Sequence, residues 1–331
     1  MSSVLILGAS GFLGQALIRQ FNSNGCKVGA ISRNADGLDN NLTDNYCENI
    51  LNHNQIDKII SEYDVVINCT GQVTRPINQC LTLNTTGIHN IINSIKNHKK
   101  KLIHISSVSV YGSLLRATED SQLNPESVYA SIKCFSEYLI NSKLDNYIIL
   151  RVSNLYGDSQ KKGLIYYLSS RYLSNESALK FNNNGELRRF YLDVDDLAKN
   201  IDTMVSKNDL HGVFNLIGPC QYTIKELVSK FENILNYRFN VQYKNVKPIE
   251  NALEKLQKIR GVEFDWNDKQ DVYEGHDTGV IAQEVQKVLP EVVTEREDGY
   301  LAVKYEKMVG LLIESIKELT AKVKRLENGD S

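Results

Sequence analysis

The chain has 331 residues, 38 of them basic and 40 acidic, for a formal net charge of -2, and 42% are apolar. That balance offers no polycationic surface for nucleic acid or anionic lipid, so neither nucleic acid nor membrane is expected as a partner. No apolar run approaches the ~18 residues of a membrane-spanning helix, and at roughly 150 residues per domain the length fits two domains.

The first strand-like run, Val4–Leu7, leads into Gly8-Ala9-Ser10-Gly11-Phe12-Leu13-Gly14 and a helical stretch, Gln15–Asn22. Glycines between a strand and a helix let a pyrophosphate approach the helix N-terminus, where free N–H groups and the dipole favour an anion. These opening residues lack the basic start of a signal peptide. The next strand, Lys27–Ile31, ends at Ser32-Arg33, with no acid there. An Asp or Glu would hold the ribose 2′-OH of NAD, whereas Arg can accept the 2′-phosphate of NADP. NADP is therefore favoured, with NAD the other candidate.

Farther along, helical stretches Gln55–Ser61, Thr85–Asn97 and Tyr129–Leu139 alternate with strands Val65–Cys69, Leu102–Ile105 and Tyr147–Leu150. This alternation predicts an α/β fold, a doubly wound parallel sheet with helices on both faces. Six cysteines, Cys26, Cys47, Cys69, Cys80, Cys134 and Cys220, form no C-x-x-C pair. They predict reduced thiols in a cytoplasmic setting, with neither a metal cluster nor a disulfide framework.

Ile105-Ser106-Ser107-Val108-Ser109-Val110-Tyr111-Gly112 reads as a strand ending in hydroxyls, and Tyr129-Ala130-Ser131-Ile132-Lys133 puts a phenol and an ammonium on one helix face. A tyrosine at its reference pKa of about 10 is a poor base, and a nearby cation is expected to lower that value. Tyr129 can then pass a proton to or from a substrate oxygen while a nicotinamide exchanges hydride, with one of the strand-end hydroxyls bonding the same oxygen.

With GASGFLG, ISSVSVYG, YASIK, LRVSNLYG (Leu150–Gly157) and RRFYLDVDD (Arg188–Asp196) in this order, residues 1 to about 245 resemble the extended short-chain dehydrogenase/reductases, the nucleotide-sugar epimerase/dehydratase family. The resemblance implies a Rossmann-like fold and a Ser-Tyr-Lys site. Ser107 matches the catalytic hydroxyl and Tyr129 the general acid/base. Lys133 matches the residue that tunes that tyrosine and binds the nicotinamide ribose. Cofactor contacts are implied for Gly8, Ser10, Gly11, Phe12, Leu13, Gly14, Thr70 and Gly71. Asn49 stands where the family often has an Asp near adenine. Asn154 and Arg189 match residues that contact the nucleotide diphosphate of the substrate. The family's dehydratases carry Thr-Asp-Glu from the catalytic hydroxyl onward. Here that stretch is Ser107-Val108-Ser109, so the acid pair is missing, and a nucleotide-sugar 4-keto reductase or 4-epimerase remains.

The composition changes near residue 250. Of 33 Asn, 30 lie in residues 1–250, and residues 251–331 hold 12 basic and 17 acidic side chains, a net of -5. NALEKLQKIRGVEFDW, GVIAQEVQKVLPEVV (Gly279–Val293) and DGYLAVKYEKMVGLLIESIKEL (Asp298–Leu319) resemble the C-terminal intramolecular chaperone of phage tail spikes and endosialidases. Two domains follow, 1–246, with a shortened substrate part, and 247–331, with a coiled coil over 305–327. The resemblance implies homotrimerisation. Many such domains release themselves with a serine five residues before a lysine. Residues 238–244 contain no serine, so self-cleavage is not expected. Val309, Leu312, Ile316, Leu319, Val323 and Leu326 form a heptad seam, β-branched at a and Leu at d, which on its own favours two strands where the resemblance says three. The alternative reading is a phage- or virus-like assembly protein, in a virion or host cytoplasm, that keeps the dinucleotide fold as a scaffold.

Overall fold

The computed structural model describes residues 2–33, 44–71, 76–114, 116–207, 209–244, 249–266, 274–296 and 299–327. The chain forms two compact units, Met1–Lys244 and Asn245–Ser331. The expected boundary at 246/247 lies outside the described residues.

In the first unit the order is β1 (Val4–Leu7), α1 (Phe12–Ser23), β2 (Val28–Ser32), β3 (Asp44–Cys47), α2 (His53–Ser61), β4 (Val65–Asn68), α3 (Ile77–Thr82), α4 (Ile88–His98), β5 (Lys101–Ser107), α5 (Val128–Lys143) and β6 (Tyr147–Val152). Then come β7 (Asn154–Tyr156), α6 (Leu164–Leu173), β8 (Ala178–Phe181), β9 (Arg188–Asp193), α7 (Val194–Val205), β10 (Gly212–Leu216), β11 (Gln221–Thr223), α8 (Ile224–Leu235) and β12 (Asn240–Tyr243). Seven strands make one sheet in the order β10-β6-β5-β4-β1-β2-β3, every pairing parallel. This is the doubly wound Rossmann-like order, with the turning point between β1 and β4.

Alternation along the strands builds two cores. Val4 and Ile6 face a layer with Leu17 and Phe21 of α1 and Leu197 and Ile201 of α7. Leu5 and Leu7 face the opposite layer, with Ile56 and Ile60 of α2 and Ile91 and Ile95 of α4. Both faces are covered, so β1 is apolar throughout, and each fully buried aliphatic side chain contributes about 1.5–3 kcal/mol. Strand β3 was not expected from the sequence. Its Asp-Asn-Tyr-Cys is half-exposed at the sheet edge and lacks an apolar signature. The helical stretch over 85–97 also differs, since a π-helical turn, Leu83–Gly87, joins α3 to α4.

One buried ion pair crosses the first unit. Arg151 Nη2 of β6 lies 2.8 Å from Glu137 Oε2 of α5, with both side chains about 5% exposed. Ser106 Oγ also donates to Glu137, and Arg151 Nη1 donates to Tyr111 OH at 2.6 Å. Buried charges need such partners, and here the pair ties α5 to β5 and β6.

The second unit contains α9 (Ala252–Gln257), β13 (Gly261–Asp265), β14 (His276–Val280), α10 (Ala282–Val288), β15 (Val293–Glu295), β16 (Leu301–Val303) and α11 (Tyr305–Glu327). Met308 and Leu311 of α11 pack with Ala252, Val285, Leu289 and Val292 in its own core. Glu318 accepts from the backbone N–H of Ala252 and Leu253, at 2.8 and 3.0 Å. The six heptad residues do not join that core: Val309, Leu312, Ile316, Leu319, Val323 and Leu326 are all exposed, 42–75%.

Candidate functional site

The glycine turn behaves as its spacing requires. Gly8 has φ +81°, and a Cβ on Gly14 would stand 2.5 Å from Gly8 O and 2.6 Å from Ala9 O. Only a residue without a side chain lets α1 start this close to β1. Gly11 caps α1 with no side-chain hydrogen bond, and the first turn holds no acidic residue. No cap side chain covers the first N–H groups of α1, the arrangement that suits a diphosphate. Phe12 and Leu13 pack inward on the α1 side of the sheet.

At the carboxyl ends of β1, β2 and β4 lies a cleft of about 240 Å³. Gly8, Ser10, Gly11, Arg33, Asn49, Thr70 and Gly71 all line it, so the structure gathers these predicted residues at one place. Gly71 has φ +75°, and a Cβ there would meet Asn84 at 2.5 Å. Asn84, on the π-helical turn, donates to Gly71 O at 3.0 Å. The residues therefore fit a dinucleotide: an uncapped helix start, a close glycine turn between β1 and α1, and polar groups lining the cleft.

Two residues of this site were missed in the sequence. Glu48 lines the cleft with Arg33. It follows β3, and its N–H donates to Ser32 O at 3.1 Å, so an acid stands at the end of the strand next to the one where none was found. Gln79 of α3, with its amide oxygen towards the guanidinium, accepts from Arg33 Nη1 at 2.5 Å and Nη2 at 3.3 Å. Neither belongs to a local motif, and only the β2–β3 pairing and the path of α3 bring them near Arg33.

Ser107 ends β5 in extended conformation, and its Oγ accepts from Ser109 N at 3.2 Å, capping the short turn Val108–Tyr111. Tyr129 sits in the first turn of α5, which Ser127 caps by accepting from Ala130 N. Lys133 is wholly buried, and its Nζ donates to Ile105 O at 3.1 Å. Burial pulls its pKa down to about 8, against the opposing influence of Cys80, Glu137 and Cys69. Burial also raises the Tyr129 phenol above its ordinary value, with Cys80 adding to the shift. The sequence expectation was the reverse, a phenol lowered by Lys133. The upward shift comes from burial of the phenol, an effect that residue spacing does not disclose. Asn154 and Arg189 fall in the three-stranded sheet β11-β9-β7, where Asn154 Nδ2 donates to Phe190 O at 3.2 Å. Arg189 is exposed beside that carbonyl.

Among the described residues no helix is long and apolar enough to cross a membrane. Comparison with known proteins finds relatives for both units. Over 276 residues the chain is 26% identical to a dTDP-D-glucose 4,6-dehydratase of Dictyostelium discoideum, covering 71% of this chain and 62% of that protein. Over 92 residues it is 42% identical to the long tail fiber protein Gp37 of Enterobacteria phage K3, covering 25% of this chain and 7% of the fiber. It thus spans less than two thirds of either relative. A solved dTDP-glucose 4,6-dehydratase of Bacillus anthracis, in complex with NAD, shares the fold with a TM-score of 0.67 at 22% identity, over 74% of this chain and 84% of that one. Residues 243–294 match the chaperone of endosialidase family. Residues 4–216 match the NAD dependent epimerase/dehydratase family, and with that match spanning more than half its length the chain belongs to this family.

Proposed function

We propose that the chain is an NADP(H)-favouring 4-keto reductase of nucleotide sugars, held as a homotrimer by residues 247–331. The observation that carries the reading is Lys133. It is wholly buried, with its Nζ fixed to Ile105 O, and it lies one helical turn from Tyr129 on α5. When bound, the dinucleotide supplies the hydride. A phenol is protonated at neutral pH, and burial shifts Tyr129 further that way, towards the form that can give a proton to a ketone oxygen. Ser107 bonds that oxygen, the Lys133 ammonium holds the ribose, and Asn154 and Arg189 take the substrate diphosphate. With Val108 and Ser109 after Ser107, no acid pair stands ready to eliminate water.

Glu48 favours a second reading. A carboxylate lining the cleft together with Arg33 suits the ribose 2′-OH of NAD, and a 4-epimerase, which returns its hydride, consumes no reductant. Incubation with NADPH and a panel of nucleotide 4-keto sugars separates the two. Loss of nicotinamide absorbance with formation of the 4-hydroxy sugar is expected. Interconversion of 4-epimers without net cofactor change would establish the epimerase, and a chain that binds neither cofactor would leave the scaffold reading.

Arg33→Ala is expected to weaken NADPH binding roughly 10- to 150-fold, because a charge-assisted contact contributes about 1.5–3 kcal/mol. NADH binding should change little, and fluorescence titration of both cofactors reads the difference. Equal losses for the two would remove the 2′-phosphate role. The purified chain is also expected to stay intact, since residues 238–244 carry no serine. Mass spectrometry showing a stable fragment that ends near residue 240 would contradict this.

A further inference from the structure

Beneath the cleft runs a buried polar chain that the proposed chemistry does not use. Asn68 on β4 and His104 on β5 are cross-strand neighbours, and both are fully buried. Asn68 Oδ1 accepts from Thr70 N at 3.0 Å and from Thr70 Oγ1 at 2.6 Å. A backbone N–H can only donate, so this contact fixes which end of the amide is oxygen. The Asn68 nitrogen then faces His104 Nδ1 at 3.1 Å, making Nδ1 the unprotonated nitrogen. The imidazole proton lies on Nε2, directed at Ser136 Oγ across a long 3.5 Å contact. Ser136 Oγ donates in turn to Lys133 O at 2.9 Å. Donors and acceptors alternate without conflict from a cleft-lining loop to the helix that bears Tyr129 and Lys133. An apolar core would be simpler to build, because a half-satisfied buried network is costly.

We propose that His104 is a positioning residue, whose bonds to Asn68 and Ser136 hold the Thr70 loop and the Lys133 turn of α5 in one fixed relation. The geometry needs neutral imidazole. Desolvation, reinforced by the Lys133 ammonium, keeps the His104 pKa well below its ordinary value, so the acceptor at Nδ1 persists at physiological pH. Lys133 Nζ meanwhile donates to Ile105 O, the residue after His104, so the strand carrying the imidazole also fixes the ammonium. Through this chain a change on α5 reaches the cofactor loop without touching it.

The inference rests on the reading of the cleft as a dinucleotide site, and NADPH is the probe. Ser136→Ala, remote from the cleft, is expected to weaken NADPH binding about fivefold, within the range seen for groups sharing one network. His104→Phe should weaken it at least as much, and adding Ser136→Ala to His104→Phe should change nothing further. His104→Gln, which can accept from Asn68 and donate to Ser136, should return the dissociation constant to within about twofold of wild type. A merely structural role predicts lowered melting temperatures with unchanged NADPH binding in the folded variants. That result, or additive losses in the double variant, overturns the proposal. A wild-type chain that binds no cofactor overturns the cleft reading, and the proposal falls with it.

Discussion

Tyr129→Phe is expected to lower turnover by at least about 100-fold while changing the NADPH dissociation constant less than about twofold, because positioned proton transfer contributes roughly 10²–10⁴-fold. The ring of Tyr129 is half-buried, and phenylalanine keeps that ring. The cap of α5 comes from Ser127 and the anchoring of Lys133 from Ile105, so neither depends on the hydroxyl. The substitution removes the proton that the hydroxyl would give. Single-turnover oxidation of bound NADPH with a nucleotide 4-keto sugar isolates the step. A variant keeping more than about a tenth of the wild-type rate would assign the proton to another group.

Replacing Leu312 and Leu319 together by Asp is expected to reduce a trimer to monomers without unfolding the chain. In the single chain these leucines are 42% and 49% exposed, so the new carboxylates stay in water. In an assembled seam each copy would bury unpaired charges, at several kcal/mol per charge before relaxation. Light scattering should give three times the 37.5 kDa chain mass for the wild type and one chain mass for the variant. Met308→Asp offers the contrast, since Met308 is 6% exposed within its own unit and its loss should lower the melting temperature instead. A monomeric wild type, or a double variant of unchanged mass, would mean that the seam has no partner helix.

The legible parts of the sequence were those in which a local pattern coincides with a physical demand. Central strands β1, β4, β5 and β6 are buried on both faces, and the apolar runs Val4–Leu7, Val65–Ile67, Leu102–Ile103 and Ile148–Leu150 within them show it. Gly8, Gly11 and Gly14 were readable because backbone closeness excludes other residues. What escaped depends on contacts between segments. The edge strand β3 is half polar, and with it went Glu48 and the full surroundings of Arg33. His104 reads as one polar residue in an apolar strand until the β4–β5 register sets Asn68 beside it. The spacing singles out Tyr129 and Lys133 as a pair but does not give the upward direction of the Tyr129 pKa shift, because four residues of separation say nothing about how far the phenol is buried.

The two faces of α11 bear on how copies would meet. An isolated helix has to nucleate its first turn, which is unfavourable. Here Met308 and Leu311 fasten the helix to its own unit, so its winding is complete before any encounter. Val309 to Leu326 then present a finished stripe, and association spends little conformational entropy on the backbone. Assembly becomes a collision problem, its pace set by chain concentration rather than by coil-to-helix conversion.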